Sequence, residues 1–94
     1  MGVRAKFKVS RWESTLYKGK IDEKLPWTPE NVETKEMRTI YLQPVYSNGD
    51  PNHENTKFWK ATPHGEIKLG TVNQEVWPQF ELDTEYYIDF TKAE

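Results

Sequence analysis

The chain has 94 residues, of which 35% are hydrophobic and 14% aromatic, and its formal net charge is −2 at pH 7. This length suits a single domain, residues 1–94, whose modest core is built from few but large side chains. The chain has no cysteine, which excludes disulfides, thiolate metal sites and a cysteine nucleophile. No apolar run approaches the ~20 residues of a membrane-spanning helix, and the N-terminus lacks the apolar stretch of a signal peptide. We therefore expect a soluble protein of a reducing compartment.

The first predicted element is a strand over residues 3–12. Hydrophobic and polar residues alternate there with a period of two, which is typical of a strand with one buried face. Residues 1–12 carry four cationic side chains and no acidic one, whereas residues 61–94 carry seven acidic and two cationic ones. The predicted buried face holds Val3, Ala5, Phe7 and Val9, and the exposed face holds Arg4, Lys6, Lys8 and Ser10.

Residues 13–36 show no sustained period of either kind. The segment is polar and contains Gly19, Pro26 and Pro29. Thr28 followed by Pro29 suits the start of one helical turn, while residues 16–21 fit a hairpin arm equally well. The sequence therefore predicts an excursion, either an inserted loop or a hairpin arm, which Trp27 would anchor.

The remaining residues predict four further strands and one helical turn. Turn-forming residues separate the strands: Asn48-Gly49 supplies a positive φ, and Pro63 with Gly65 fits a type I turn. Residues 73–80 suit a short helical turn, since Asn73 is a favourable cap and a proline follows five residues later. The predicted strands cover residues 37–46, 54–62, 66–72 and 85–91.

Together these elements predict an all-β fold, a small and highly curved five-stranded barrel with a helical turn before the last strand. Closing the barrel would pair the first strand with the fifth and remove the exposed edges. The opposite charges of these strands support this pairing, because Lys6 and Lys8 would lie near Glu85 and Asp89. The second half of the chain would add to the core Ile40, Leu42, Phe58, Ile67, Leu69, Ile88 and Phe90.

Four segments resemble a group of small proteins encoded by tailed phages and frequent in marine sequence collections. The resemblance implies a compact β-barrel similar to the Sm-like fold and a phage origin, and it implies no reaction. Residues 13–36 depart from the pattern, because relatives connect the first two strands more briefly. The segments are VRAKFKV (Val3–Val9), LQPVYS with its Gly-Asp-Pro turn (Leu42–Pro51), ENTKFWKATPHGEIKL (Glu54–Leu69) and FELDTEYYIDFT (Phe80–Thr91).

The sequence holds little that favours catalysis. Asp50, His53 and Glu54 are close in sequence, but their spacing matches no metal-ligand pattern, and turns are rich in such residues for backbone reasons. No nucleophile elbow and no glycine-rich phosphate loop is present. We predict no enzymatic activity, no metal site and no cofactor.

Single-stranded DNA or RNA binding is one hypothesis for the function. Two lysines flank two aromatic residues over residues 57–60. In a strand with Phe58 in the core, Trp59 would share the outer face with Lys57 as a base-stacking platform. In the competing interpretation Trp59 packs beneath residues 13–36 or at a subunit contact, and the acidic last third neutralises the basic strand. The candidate nucleic-acid contacts are Arg4, Lys6, Lys8, Lys57, Trp59 and Lys60.

The hypothesis that we favour is an accessory or structural protein that acts through self-association or through contacts with other phage proteins. Exposed aromatic residues often anchor interfaces, and those of this chain are Trp12, Trp27, Trp59 and Tyr87. The competing interpretation is a monomer that uses these aromatics for its own thin core. Such a protein would act in the host cytoplasm or in the virion, without a membrane, and nucleic-acid binding remains the alternative.

Overall fold

An antiparallel sheet of four strands forms most of the structure, a computed structural model that describes residues 2–94. The strands are β1 (Val3–Lys20), β2 (Val32–Pro44), β3 (Ile67–Thr71) and β4 (Glu85–Phe90), and their order in the sheet is β3-β2-β1-β4. The helical segments are the α-helix α1 (Glu54–Trp59) and two 3-10 turns, Pro29–Asn31 and Trp77–Gln79. The predicted all-β class is confirmed.

The first and last strands pair as the sequence predicts. β1 and β4 are antiparallel, with Lys6 opposite Tyr87. Lys6 Nζ lies 3.7 Å from Glu85 Oε1, and Arg4 Nε donates to Asp89 Oδ1 over 2.7 Å. Exposed pairs of this kind contribute about 1 kcal/mol or less, so they favour the register of β4 more than they stabilise the fold.

The predicted five-stranded closed barrel is not formed by residues 2–94, because the sheet is open and has β3 and β4 at its edges. The prediction of a strand over residues 54–62 was wrong, since α1 occupies most of this range. Asn55 and Trp59 are four residues apart, so a helix turns both toward one side. His53 Nδ1 caps the helix by accepting from Asn55 N over 3.0 Å, and Lys60 ends it in the left-handed region with φ 58°.

Residues 13–36 extend the first hairpin of the sheet. β1 and β2 stay paired from Ser14 opposite Arg38 to Lys20 opposite Val32, and the first 3-10 turn follows Thr28. We call this two-stranded extension the arm. It makes the molecule 58 Å long, with a radius of gyration of 18.0 Å, whereas a compact chain of this length would have about 12 Å.

The core lies on one face of the sheet, which we call the core face. It contains Ala5, Phe7 and Val9 of β1 with Ile40 and Leu42 of β2, all at most 5% exposed. The prediction of a buried Phe58 was wrong: this side chain is 47% exposed, and its neighbour on α1 packs on the core instead. Three further predicted core residues are also exposed, because no element within residues 2–94 covers the sheet at the end of β1 and β4 or along the edge strand β3: Val3, Leu69 and Phe90.

Trp12 and Arg38 hold the base of the arm against Trp77 of the second 3-10 turn. The Arg38 guanidinium lies 4.5 Å from the ring centroid of Trp12 and 4.3 Å from that of Trp77. The Trp12 indole N–H donates to Phe80 O, and the Trp77 indole N–H donates to Thr71 O. Cation–π contacts of a largely desolvated guanidinium stabilise by about 1–2 kcal/mol, so this stack fixes the arm where it leaves the sheet.

Candidate contact surfaces at the two ends of β1

A buried asparagine organises the tip of the arm, residues 21–31. Asn31 is 5% exposed. Its Oδ1 accepts from Asp22 N over 2.8 Å, and its Nδ2 donates to the carbonyls of Asp22 (3.0 Å), Leu25 (3.3 Å) and Pro26 (3.0 Å). One side-chain amide thus satisfies four backbone groups of the loop. The tip is ordered by hydrogen bonds and needs no apolar core of its own.

This ordered tip presents apolar side chains to solvent. Ile21 and Trp27 are each 61% exposed, and Leu25 is 52% exposed. Lys20 Nζ lies 5.4 Å from the centroid of the Trp27 ring, and the two residues before this tryptophan have their carbonyls held by the asparagine amide. Large apolar side chains on a fixed backbone are characteristic of binding surfaces. The tip is therefore a candidate contact site.

The long edges of the arm have a different character. β4 pairs with β1 only over Val3–Lys8, and β3 pairs with β2 only over Arg38–Leu42, so the arm strands have no outer neighbour within residues 2–94. Charged residues occur along both strands of the arm: Lys18, Lys20, Glu33 and Lys35. Charges on edge strands oppose pairing with another chain. Leu16 and Tyr17 of β1 are exposed as well, but only the tip combines exposed apolar side chains with a backbone held by a buried amide, so the tip is the part of the arm best suited to a contact.

A pocket of about 410 Å³ lies at the opposite end of β1. Its apolar wall is formed by Val3, 43% exposed, and Phe58, 47% exposed. Its polar lining contains Arg4, Glu54 and Lys57. We call it the end pocket. Phe90 lies opposite Val3 in the sheet and is 48% exposed, so the apolar surface continues across the end of the sheet.

Asn55 holds α1, and with it one wall of the end pocket, against β1. β2 ends opposite Phe7, which leaves the backbone of Lys6 without a partner strand on that side. Asn55 Oδ1 accepts from Lys6 N over 2.7 Å, and its Nδ2 donates to the carbonyls of Lys6 (2.8 Å) and Val45 (2.6 Å). The fully buried amide therefore continues the hydrogen bonding of the sheet after β2 has ended.

Residues of the neighbouring strands influence the charge of Glu54 in the lining of the end pocket. A hydrogen bond from its own backbone N–H lowers the pKa of Glu54, and the Tyr87 hydroxyl and the positive charge of Lys6 act in the same direction. The carboxylate is thus anionic at neutral pH. Lys57 is exposed and makes no ion pair within residues 2–94.

The structure divides the predicted nucleic-acid contacts between several surfaces. Arg4, Lys6 and Lys8 lie on the sheet face opposite the core, which we call the charged face. Trp59 lies on the core face, where its ring centroid is 6.0 Å from that of Phe7 and its indole N–H donates to His64 O. Arg4 and Lys57 both line the end pocket, whereas Lys60 is the C-cap of α1.

Aromatic rings on the charged face are covered by cations. Arg4 and Lys6 lie 4.9 and 5.2 Å from the ring centroid of Tyr87. Tyr41, which is only 6% exposed, has Arg11 at 4.1 Å and Lys68 at 5.4 Å. The cations also form ion pairs with acidic side chains: Lys8 Nζ lies 3.3 Å from Asp83 Oδ1. Much of the positive charge that the sequence places on β1 is therefore paired within the protein.

Sequence reasoning named Trp27 in two roles. The prediction that it anchors residues 13–36 was wrong, since the ring is 61% exposed, and its companions at the tip were missed. Ile21 and Leu25 belong to a segment without periodicity, and the signal that could have found them is a cluster of large apolar residues between prolines and charges. Asn31 and Asn55 were missed as well, because an asparagine in a polar segment resembles any turn residue. Only the fold reveals which backbone groups these amides satisfy.

No helix within residues 2–94 is long and apolar enough to cross a membrane. The same residues bring together no group of three or more histidine, cysteine or acidic side chains that could hold a metal ion. His53 is engaged as the cap of α1. No family model matches the chain, and neither a curated protein nor a solved structure matches it.

Proposed function

We propose that the protein is a non-enzymatic accessory or structural protein that acts through protein contacts, and first through self-association by the arm tip. The observation that carries the proposal is the ordered apolar tip, in which Ile21, Leu25 and Trp27 are each more than half exposed. A monomer with no use for these side chains would gain solubility by replacing them with polar ones.

The construction of the arm supports the same proposal. Binding normally costs the entropy of ordering loops and side chains, and a contact that is already ordered avoids this cost. The Asn31 hydrogen bonds order the tip, and the Arg38 stack fixes the base of the arm. The arm also projects far enough from the sheet to reach a second molecule without interference from the core, since the protein is 58 Å long and 20 Å thick.

The resemblance of Val3–Val9 and Glu54–Leu69 to phage proteins extends the proposal. On this basis the setting is the host cytoplasm or the virion, and the further partners are other phage proteins. The arm is the part of the chain that departs from the pattern of those relatives. A contact through its tip would accordingly be particular to this protein.

Self-association gives the first prediction. Trp27→Ser is expected to weaken it by about 2–4 kcal/mol, because removing a buried aromatic anchor from a small interface has effects of this size. Sedimentation velocity over a concentration series, from about 1 μM to 1 mM as suits a weak and small interface, measures the change. Tyr46→Ser is the matched control, since this aromatic side chain is 64% exposed and lies outside the arm.

Two results would contradict the proposal. In one, the wild-type protein stays monomeric over the whole concentration series. In the other, it associates, but Trp27→Ser and Tyr46→Ser change the association equally. Melting curves of both variants should coincide with that of the wild type, because neither side chain contributes to the core.

Single-stranded nucleic-acid binding by the charged face is the second candidate. The observation that favours it is that Arg4, Lys6 and Lys8 follow one another on one face, beside the half-exposed ring of Tyr87. The ion pairs to β4 and the adjoining acidic segment weaken this candidate, because strong binders have a clear basic surface.

The alternative makes its own prediction. If the charged face binds single strands, Lys6→Glu together with Lys8→Glu abolishes the anisotropy change of a labelled oligonucleotide, since both contacts to phosphate would become repulsive. Trp59→Ala should lower the melting temperature instead, because that ring packs on Phe7. No anisotropy change at low salt with the wild-type protein would exclude this candidate.

A further inference from the structure

We propose that the arm tip of one copy docks into the end pocket of a second copy, with the Trp27 ring against Val3 and Phe58. This inference rests on the proposed self-association and adds the surface that receives the tip. The two surfaces lie at opposite ends of β1, since the arm continues beyond Lys20 whereas the pocket begins at Gly2. Eighteen extended residues at about 3.3 Å each span most of the 58 Å length of the molecule, so a tip cannot reach the pocket of its own chain.

The arm tip and the end pocket both present apolar side chains that could pack against each other. The tip offers one indole ring and two aliphatic side chains, and the pocket offers the exposed faces of Val3 and Phe58 within a volume of about 410 Å³. Phe58 meets Trp59 edge-to-face, with centroids 4.3 Å apart, which leaves its outer surface for a second aromatic ring. Aromatic side chains entering such pockets are the usual anchors of protein interfaces.

The charges distinguish this contact from a contact between two tips. The tip carries Asp22, Glu23 and Glu30 against Lys24, and Lys20 lies over the Trp27 ring. Three acidic side chains thus face two cations, and two tips would repel each other. Of the charged side chains that line the end pocket, Arg4 is already paired with Asp89. Lys57 makes no ion pair within the described part of the chain, so it is the cation available to an acidic residue of the tip. Like charges across an interface oppose the wrong partner, and opposite charges favour the right one.

The contact joins two different surfaces, so a chain that lacks one of them can still use the other. Two variants, each deficient in a different surface, should therefore restore one contact when mixed. Trp27→Ser removes the tip anchor, and Phe58→Ser removes the pocket wall. Lys57→Glu is a second pocket variant, needed because Phe58 contacts Trp59 and its loss can lower stability.

Sedimentation velocity of the single variants and of equimolar mixtures tests the proposal. We expect each variant alone to associate at least tenfold more weakly than the wild type. A mixture of Trp27→Ser with Phe58→Ser, or with Lys57→Glu, should form a one-to-one complex whose dissociation constant is close to that of one wild-type contact. A mixture of the two pocket variants should form none. Tyr46→Ser should behave as the wild type does in every mixture.

The possible failures are distinguishable. A wild-type protein that never associates contradicts the proposed function itself. Association that Trp27→Ser removes, but that both pocket variants retain at wild-type strength, overturns the assignment of the end pocket and leaves the proposed function standing. Failure of the mixtures to form a complex, with all variants folded by circular dichroism, overturns the docking of tip into pocket in the same way.

Discussion

Asn55→Ala is expected to lower the free energy of unfolding by about 2–4 kcal/mol, a large fraction of the stability of a chain of this size. The substitution removes the acceptor of Lys6 N and one donor to each of the carbonyls of Lys6 and Val45. Lys6 O keeps the bond from Val45 N, at 3.0 Å. The N–H of residue 6 and the carbonyl of residue 45 therefore lose the only partners they have within residues 2–94, at about 1–3 kcal/mol each.

Chemical denaturation at pH 7, followed by tryptophan fluorescence, measures this change. Asn52→Ala is the matched control, because Asn52 is exposed and only its backbone N–H takes part in a hydrogen bond among those of residues 2–94; its effect should stay within about 0.5 kcal/mol. Asn55→Asp tests the mechanism. The carboxylate retains an acceptor for Lys6 N, but it places negative charge against two carbonyl oxygens, so it should destabilise at least as much as alanine does.

A loss below 1 kcal/mol for Asn55→Ala would contradict the role assigned to this amide. Water would then replace it at the end of β2, and α1 would be held mainly by Trp59 on Phe7. The end pocket would in that case owe its wall to packing of the helix instead of to the hydrogen bonds of the sheet. Asn55→Asp would also become the milder variant, because water can solvate a carboxylate at this position.

The parts of the fold that the sequence predicts are those in which one local pattern decides the structure. The alternation of Val3 to Val9 fixes which face of β1 is buried, and the charges of β1 and β4 agree with their pairing. Three of the predicted buried residues of β1 are indeed core residues: Ala5, Phe7 and Val9. Val3 is the exception, because it lies where the sheet ends and no element within residues 2–94 covers it.

Residues 54–62 show how local patterns compete. In a strand over this segment, Lys57 would share one face with Trp59, and Phe58 would share the other with Lys60. The spacing of Asn55 and Trp59 favours a helix, and it prevails because the helix satisfies the backbone of β1 and packs an indole on the core at the same time. This stabilisation requires β2 to end at Pro44. The sequence of residues 54–62 gives no information about where that strand ends. The base-stacking platform predicted for Trp59 required a strand over residues 54–62, so it does not form once this segment is a helix.

The arm tip was harder to predict, because its residues are candidate contacts only by virtue of being exposed in the folded protein. A sequence pattern identifies Leu25 and Trp27 as apolar, and the usual inference places apolar residues in the core. This inference fails in the arm, because the hydrogen bonds of Asn31 order the tip and its apolar side chains remain exposed to solvent. Both ends of β1 thus depend on a buried asparagine at a place where regular pairing stops.

Asn31→Ala is expected to loosen the arm without unfolding the sheet. The substitution leaves Asp22 N and up to three carbonyls of the tip without their partner. Water can replace part of these bonds, so the cost is about 1–3 kcal/mol and falls on a two-stranded ribbon that is only marginally stable by itself. Amide hydrogen exchange should accelerate by about 10- to 100-fold at residues 16–20 and 32–35, while the amides that pair β1 with β4 remain unchanged.

This local loss should carry over to binding. A tip that becomes ordered only on binding loses conformational entropy at that step, which lowers the affinity. Asn31→Ala should therefore weaken self-association about tenfold even though Trp27 is intact. Thr34→Ala is the control within the arm, because this side chain is exposed and makes no hydrogen bond within residues 2–94. A fall in melting temperature as large as that of Asn55→Ala would show instead that arm and sheet unfold as one cooperative unit. The arm would then be an integral part of the core fold, and its exposed apolar residues would need a different explanation from the ordered docking element inferred here.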